Sequence, residues 1–415
     1  MAPKIRRMST RTVLIAGFVA LALCGRTTGA QEPPVPADRP LVPGAFHIEL
    51  GPREPVFGLI PMSVRRGLPD EHTSFLKYPD GTFRMWSGTA AGGLAVVLKA
   101  GPALGRFIRP ASGKILGPPG PGSEESFDHD YAAPGQVVQD PADPTKLYML
   151  YEAEWLCFGS PPSCPPRSER PSTWVSVGIA QADDPGADGY PRKWTGFLKD
   201  PKTNRFGRTI ALGSPDPKPP ADPGTHGYYG LGIPSGMVDP RTGYLYAFYT
   251  YHALPGTIDA DHDHRVEVAR VSFATLHSGV PVWLKWDAPE SRFDIPWDGR
   301  SYPILTQATT VPACANENHP SVSYNVALGR YLMVVICNAE WYYSTATSME
   351  AQDWTTPQLL APIVPGCKHA CADWYPSPVS LDRPSSSTTS QNGFIYFLRA
   401  NHYWRRSFTI VADGI

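Results

Sequence analysis

Three carboxylates in this 415-residue chain stand at matching distances ahead of a strand and turn. They are Asp70 in "LPDEHTSFLKYPDGTFRMWS", Glu317 in "NENHPSVSYNVALGRYLMVV" and Asp373 in "ADWYPSPVSLDRPSSSTTSQNGFIYFLRA". Aligned on Pro320 and Pro376, Glu317 and Asp373 each lie three residues ahead, and Asp70 falls at the same place in its own segment. Carboxylates gathered in one place can divide acid and base work, because their mutual repulsion raises at least one pKa and keeps that group protonated. A protonated acid beside an ionised carboxylate is the pair that hydrolysis of a glycosidic bond needs. His72 and His319 hold equivalent places beside two of them. An acid ahead of a strand also serves as an ordinary turn cap, so the coincidence of three in one register carries the reading.

The elements that must position these groups repeat along the chain. "GLGIPSGMVDPRTGYLYAFY" at 230–249 keeps, from Pro234 to Gly243, the interval that separates Pro320 from Gly329, and "DYAAPGQVVQDPADPTKLYMLY" at 130–151 fits with small adjustments. Each of the five segments reads as a short strand, a turn rich in Asp, Asn, Pro or Gly, and an aromatic second strand. After three of them come "VSVGIAQADDPGADGYPRKW", "VEVARVSFATLHSGVPVW" and "WYYSTATSMEAQDW", a further strand and a stretch ending in tryptophan. A four-stranded unit recurring every 60 to 100 residues or so is the sign of propeller blades. The expected fold is all-β, a five-bladed β-propeller of four-stranded antiparallel blades over residues 46–415. A two-sheet sandwich also has many short strands, but gives no reason for a recurring Pro-strand-turn-strand unit.

In a propeller the starting ends of the innermost strands converge on one mouth of the central channel, and the loops between second and third strands form its rim. Tyr131, with Asp128 and Asp130 beside it, takes the register position of Glu317 in the second repeat, and Leu231 takes it in the third. Tyr229 and Trp374 fall at the mouth, and "YEAEW" and "CNAEW" place Glu154 and Glu340 on the rim with Trp155 and Trp341. Aromatic faces cover the apolar side of a sugar while acids and amides take its hydroxyls, so the expected partner is a carbohydrate. Trp194, Trp283 and Trp354 read as packing between blades. "DADHDHR" from Asp259 to Arg265 opens like a calcium loop with Asp259, Asp261 and Asp263, but His264 and Arg270 stand where Gly and Glu belong. It reads as a solvated loop with room for a structural calcium ion; the chemistry requires no cofactor and no catalytic metal.

Residues 1–30 are a different material, with Lys4, Arg6, Arg7 and Arg11 ahead of "TVLIAGFVALAL" and the small residues "TGA" before Gln31. This is the order of a secretory signal peptide, and the apolar run of roughly a dozen residues falls short of the ~20 a membrane span needs. Residues 31–45 read as a linker. The expected location is secreted or periplasmic. Without residues 1–30 the chain holds 32 Lys and Arg against 38 Asp and Glu, a balance of −6 that invites neither nucleic acid nor an anionic membrane. Six cysteines remain, an even set suited to an oxidising compartment. Cys314 precedes the first strand of its repeat and Cys337 ends the second, so antiparallel pairing brings them together; Cys157 with Cys164 and Cys367 with Cys371 complete three sequential pairs. The spacing does not resemble a paired CxxC zinc site.

Five hairpins, a signal peptide and the order early Asp, middle Asp, later Glu resemble the five-bladed β-propeller glycoside hydrolases that include the arabinanase and xylosidase group. That resemblance implies Asp70 as base, Asp130 as the residue that tunes and orients, and Glu317 as acid. Asp373 and Asp128 are left as catalytic or substrate-binding, and His72, His319, Tyr131, Tyr229, Trp374, Glu154 and Glu340 as sugar ligands. The function expected is a secreted glycoside hydrolase acting as a monomer. Two other readings use the same architecture: a lectin-like propeller that binds carbohydrate without cleaving it, and a protein-interaction propeller.

Overall fold

In a computed structural model, the residues described are 44–413 apart from 57–70, 80, 82, 90–93, 101–106, 112–126, 129–130, 156–171, 185–193, 195–208, 215–226, 254–262, 306–316, 363–371 and 401. The expected signal peptide and most of the linker lie outside them. So do Asp70, Asp130, Asp259, Asp261, Cys157, Cys164, Cys314, Cys367 and Cys371. The described chain is all-β, as expected, and its helix is the short α1 (Phe273–His277). No helix among the described residues is long and apolar enough to cross a membrane.

Strand β1 (Phe46–Pro55) is followed by an antiparallel run of β2 (Ser74–Lys77), β3 (Phe83–Thr89), β4 (Leu94–Ala100) and β5 (Phe107–Ala111). Next come β6 (Tyr131–Gln139), β7 (Lys146–Trp155), β8 (Ser172–Asp183) and β9 (Thr209–Leu212), then β10 (Gly227–Val238), β11 (Tyr244–His252), β12 (Arg265–Ser272), β13 (Leu284–Asp287) and β14 (Arg292–Pro296). Those two runs share one sheet because β8 and β10 pair in parallel. At that seam Gly230 has φ +107, and a Cβ there would meet the Val175 carbonyl oxygen at 2.1 Å, so no other residue fits. The chain continues through β15 (Glu317–Asn325), β16 (Arg330–Cys337), β17 (Glu340–Ala346) and β18 (Gln358–Ala361). It ends in β19 (Trp374–Val379), the short β20 (Thr388–Thr389), β21 (Asn392–Arg399) and β22 (His402–Ala412). The last sheet takes its outer strand from the other end of the chain: β1 pairs antiparallel with β22, Phe46 opposite Ala412.

The cores lie between successive runs of strands. Leu76 and Trp86 pack with Val137 and Met149, Tyr148 and Leu150 with Leu245 and Tyr249, and Tyr246 and Phe248 with Tyr331 and Met333. Val334 and Ile336 pack with Phe397 and Ile410, and Phe75 and Met85 return the sequence of contacts to Tyr396 and Tyr403. Each of these side chains contributes on the order of 1.5–3 kcal/mol by leaving water. Trp194, Trp283 and Trp354 are buried in these cores, as the sequence suggests. Trp341 is buried too, 5.0 Å from Phe397, and is core instead of rim.

The first strands of the runs are tied to one another by side chains. Thr73 N donates to Ser377 Oγ at 2.9 Å, Val137 N to Ser74 Oγ at 2.8 Å, and Gly236 N to Gln136 Oε1 at 3.2 Å. A segment of the last repeat then crosses them all at one end. Lys77 N donates to Pro384 O and Ser386 N to Phe75 O, Gln136 Nε2 donates to Ser386 Oγ, Val238 N to Ser387 Oγ, and Tyr324 N to Ser387 O. The Ser- and Thr-rich stretch, expected to be only a turn, is a plug.

Candidate functional site

At the opposite end the first strands share a second device. Register slips occur between Pro134 and Val137 in β6, Gly232 and Ser235 in β10, Asn318 and Ser321 in β15, and Trp374 and Ser377 in β19. In three of these bulges the residue before the proline has a left-handed backbone: Ile233 at φ 56, His319 at 54 and Tyr375 at 56. Such angles are costly for residues with a Cβ, and most of all for a β-branched one, so the surrounding structure must hold them in place. The proline that aligns the repeats in the sequence therefore marks where each strand turns a side chain inward.

The side chains so turned meet. His319 lies 4.4 Å from the Tyr375 ring, 5.1 Å from Trp374 and 6.3 Å from His72, and His72 lies 6.2 Å from Tyr375. Burial pushes the His72 imidazole down to about 3, against a backbone bond with Pro376. His319 is pushed well below its ordinary value by burial and by the neighbouring His72 and His252. At neutral pH these rings are uncharged donors and acceptors. His319 Nδ1 has no hydrogen-bond partner among the described residues, and beyond the Pro376 backbone the His72 ring has none either. Buried polar atoms left this way are costly unless something else completes them.

Glu317 opens β15 and is 0% exposed. Its Oε1 accepts from Arg265 Nη1 at 3.2 Å and its Oε2 from Val266 N at 3.2 Å, while its own N–H donates to His264 O at 2.8 Å. Burial pushes its pKa up to about 7, and the Val266 bond and the Arg265 charge offset only part of that rise. Near neutral pH it is a carboxylic acid about half protonated, the state a general acid works from.

Asp373 is a different kind of carboxylate. Arg53 donates to its Oδ2 from Nε at 3.0 Å and Nη2 at 2.8 Å, and Arg399 Nη1 donates to Oδ1 at 3.0 Å. Two guanidiniums suit it to anchoring β1 more than to trading a proton. Asp128, also buried, accepts from Tyr151 OH at 3.2 Å. Tyr229 is buried against Trp174, Trp374 is partly buried beside His319, and Glu154 and Glu340 are partly exposed, Glu340 accepting from Tyr342 OH at 3.1 Å. The side chain of Tyr131 lies outside the described residues.

Sequence reasoning missed several groups that share this end. Glu152 of β7 is buried and accepts from the Tyr228 hydroxyl and the Ile233 N–H, reaching the β10 bulge because Gly232 leaves room; a Cβ there would stand 3.0 Å from Glu152 Oε2. Tyr228 is pushed well above its ordinary pKa by burial first and then by the negative charges of Glu152, Glu154 and Glu71. Glu71, beside Asp70, is buried as well. "YEAEW" held the signal for Glu152, since residues two apart on a strand share a face. Arg265, His252 and Tyr375 gave none. A cleft of about 550 Å³ lined by Val326, Leu381, Arg383, Asn392 and Phe408 lies near the plug, away from Glu317, and none of these groups faces it.

No family model matches the chain, and no curated protein matches its sequence. Solved structures with a similar path are glycoside hydrolases. An exo-β-1,3-galactanase of Phanerochaete chrysosporium is 13% identical, with 81% of this chain and 60% of that one covered and a TM-score of 0.42. The catalytic domain of an α-L-arabinofuranosidase of Coprinopsis cinerea is 11% identical over 90% of this chain and 98% of its own, at 0.45. A family 117 glycoside hydrolase of Zobellia galactanivorans is 10% identical over 89% and 92%, also at 0.45. This chain spans about three-fifths of the galactanase's length. At these identities and TM-scores the likeness names no reaction for this chain.

Proposed function

We propose that the chain is an exported five-bladed β-propeller that hydrolyses glycosidic bonds at the end of the channel that carries Glu317, His319 and His72. The five cores between successive runs of strands, returning from Tyr396 to Phe75, and the outer strand lent by β1 support the propeller. The observation that carries the chemistry is a single one: a buried carboxylic acid with a pKa raised to about 7, at the first residue of an inner strand. Glu317 protonates the departing oxygen. Asp70 activates water or attacks the anomeric carbon, with Asp130 tuning it, and Glu71 is the described acid nearest in sequence that could take the base's part. Tyr375 and Trp374 cover the apolar face of the sugar, and the uncharged imidazoles take its hydroxyls. Because Glu317 is sealed and held by Arg265, it acts only when the sugar draws it off that guanidinium.

The test is hydrolysis of a panel of aryl glycosides and plant and microbial polysaccharides by wild type, Glu317→Gln, Asp70→Asn and Glu71→Gln. Glu317→Gln should lose about 100-fold or more on poor leaving groups and less on activated aryl groups, which depart with little protonation. Asp70→Asn should impair both. Unchanged turnover in Glu317→Gln and Asp70→Asn alike would sink the mechanism. A lectin-like reading is favoured by one observation, the double salt bridge that ties Asp373 to Arg53 and Arg399. Sugar binding by the wild type with no turnover of any substrate would select it.

The proposal includes the three sequential disulfides, with Cys337 opposite Glu317 in the β15–β16 register and Cys314 three residues ahead of it. Each closes a short loop and should add on the order of 2–3 kcal/mol. Peptide mapping that finds crossed links or free thiols would overturn them.

A further inference from the structure

We infer that His252, Asp263 and His264 bind a divalent transition-metal ion of the zinc class at the join between β11 and β12. The three side chains offer two imidazole nitrogens and one carboxylate oxygen, all within 4.8 Å of one another. A tetrahedral zinc ion needs its ligands about 2 Å away, so closing on an ion takes roughly an ångström of side-chain movement. His252, 6% exposed at the end of β11, carries two ring nitrogens with no hydrogen-bond partner among the described residues. Its ring lies 4.9 Å from that of His264 and 5.0 Å from Tyr228.

The other two ligands are already set. Asp263 Oδ1 accepts from Ala253 N at 2.9 Å, which binds the loop's two ends together, and Asp263 Oδ2 lies 3.0 Å from His264 Nδ1. That contact turns His264 so that Nε2 is left for an ion, as carboxylates do for metal-bound histidines. His264 sits at φ 53, a left-handed angle that histidine seldom adopts without cause. Asp263 and His264 are partly exposed, so a water can complete the coordination.

Donor chemistry decides which ion. Calcium takes six to eight oxygens, whereas imidazoles select zinc, nickel or copper. The calcium-like spacing read in the sequence therefore conceals a nitrogen site, with His252 supplied from the preceding strand. An ion here would fix the backbone immediately ahead of Arg265 and hold the His264 carbonyl that accepts from Glu317 N. The site stands whether or not the channel end cleaves sugars.

Chelator-treated full-length protein, titrated calorimetrically with zinc chloride, nickel chloride and calcium chloride, tests this. Wild type should take up one zinc per chain, nickel at the same site, and calcium far more weakly. His252→Ala and His264→Asn should each weaken zinc by about 100-fold or more, beyond the ~10–100-fold that loss of a supporting partner costs. Asn tolerates the left-handed backbone, so His264→Asn keeps the test valid if the buried His252→Ala fails to fold. His402→Ala, away from the site, should bind as wild type. Absence of stoichiometric zinc uptake, zinc binding unchanged in His264→Asn, or calcium bound as tightly as zinc would overturn the inference.

Discussion

The two ends of the inner strands are built to opposite standards. At the plug end the acids and amides of the turns are completed, although Thr388 Oγ1 in the plug itself has no partner among the described residues. Asp239 accepts from Arg241 N at 3.0 Å, Thr242 Oγ1 at 2.6 Å and Tyr331 OH at 2.8 Å, and Asp140 caps Ala142 N at 2.8 Å and Asp143 N at 3.1 Å. Asn325 donates to Thr389 Oγ1 and Ser390 O and accepts from Leu328 N. At the other end His72, His252 and His319 keep ring nitrogens without partners, and Ile233, His319 and Tyr375 hold left-handed backbones. The same repeat unit supplies both ends, so the difference is not one of fold. Stability is concentrated where turns are tight, and unmet hydrogen-bonding capacity is concentrated where a ligand can meet it.

The contrast predicts that activity and stability respond to different ends, and the largest expected effect is on activity. Above pH about 7 the wild-type kcat/KM should fall about tenfold per unit as Glu317 loses its proton, and Glu317→Gln should be flat there at about a hundredth of the rate. A pH–rate profile with the same alkaline limb in both proteins would remove Glu317 from the chemistry. Next, Asp239→Ala should cost about 3 kcal/mol in denaturant unfolding, because the Tyr331 hydroxyl and a turn N–H lose their acceptor inside the protein, yet leave kcat unchanged. A matching loss of kcat would erase the distinction between the ends.

Stability should also depend on pH, and at the site end two kinds of group respond in opposite senses. The Glu317 carboxyl moves from 4.5 to about 7 on folding, so between those values the folded chain holds a proton that the unfolded chain has released. Stability from that group is therefore greatest below 4.5 and falls by on the order of 2–3 kcal/mol as pH rises to 7. His72 and His252, each lowered from 6.5 to about 3, act in the opposite sense: their stability is full above 6.5 and is lost as pH falls toward 3. The difference in Tm between wild type and Glu317→Gln isolates the first contribution, and should drift in the variant's favour from pH 5 to 7. A constant difference would mean that Glu317 titrates normally. The smallest effect belongs to the plug: Ser386→Ala removes one acceptor from Gln136 and should cost about 1 kcal/mol, with activity intact.

What was legible in the sequence was whatever repeats. The aligned prolines located the bulges, the Asp and Asn turns located the plug-end networks, and the equivalence of His72 and His319 anticipated two rings that meet. What escaped was contact between unlike segments. Glu152 finds Tyr228 76 residues away, and Arg265 meets Glu317 52 residues on. Asp70, Glu317 and Asp373 shared a register on paper, but partners decide their character: Glu317 is sealed at a raised pKa, and Asp373 is clamped by Arg53 from β1. Nor did β1 announce itself, since its half-exposed alternation has no counterpart among the repeats.

That strand carries a consequence for the order of assembly. Its partner lies at the far terminus, with the His47 to Asp413 contact spanning 366 positions. Apart from β20, which joins β15 from the last repeat, the other strands pair with near neighbours in sequence, but the last sheet waits for β22. Closure is thus the contact of highest order in the molecule and the slowest to form. Until it forms, β22 presents an open edge, the hazard that invites association between chains. Phe46 and Ala412 lie side by side, so joining the chain there with a short linker and reopening it at the exposed Pro141–Thr145 turn would make closure a local hairpin. Such a permuted chain should refold faster than the natural one, with the same strands in the same places.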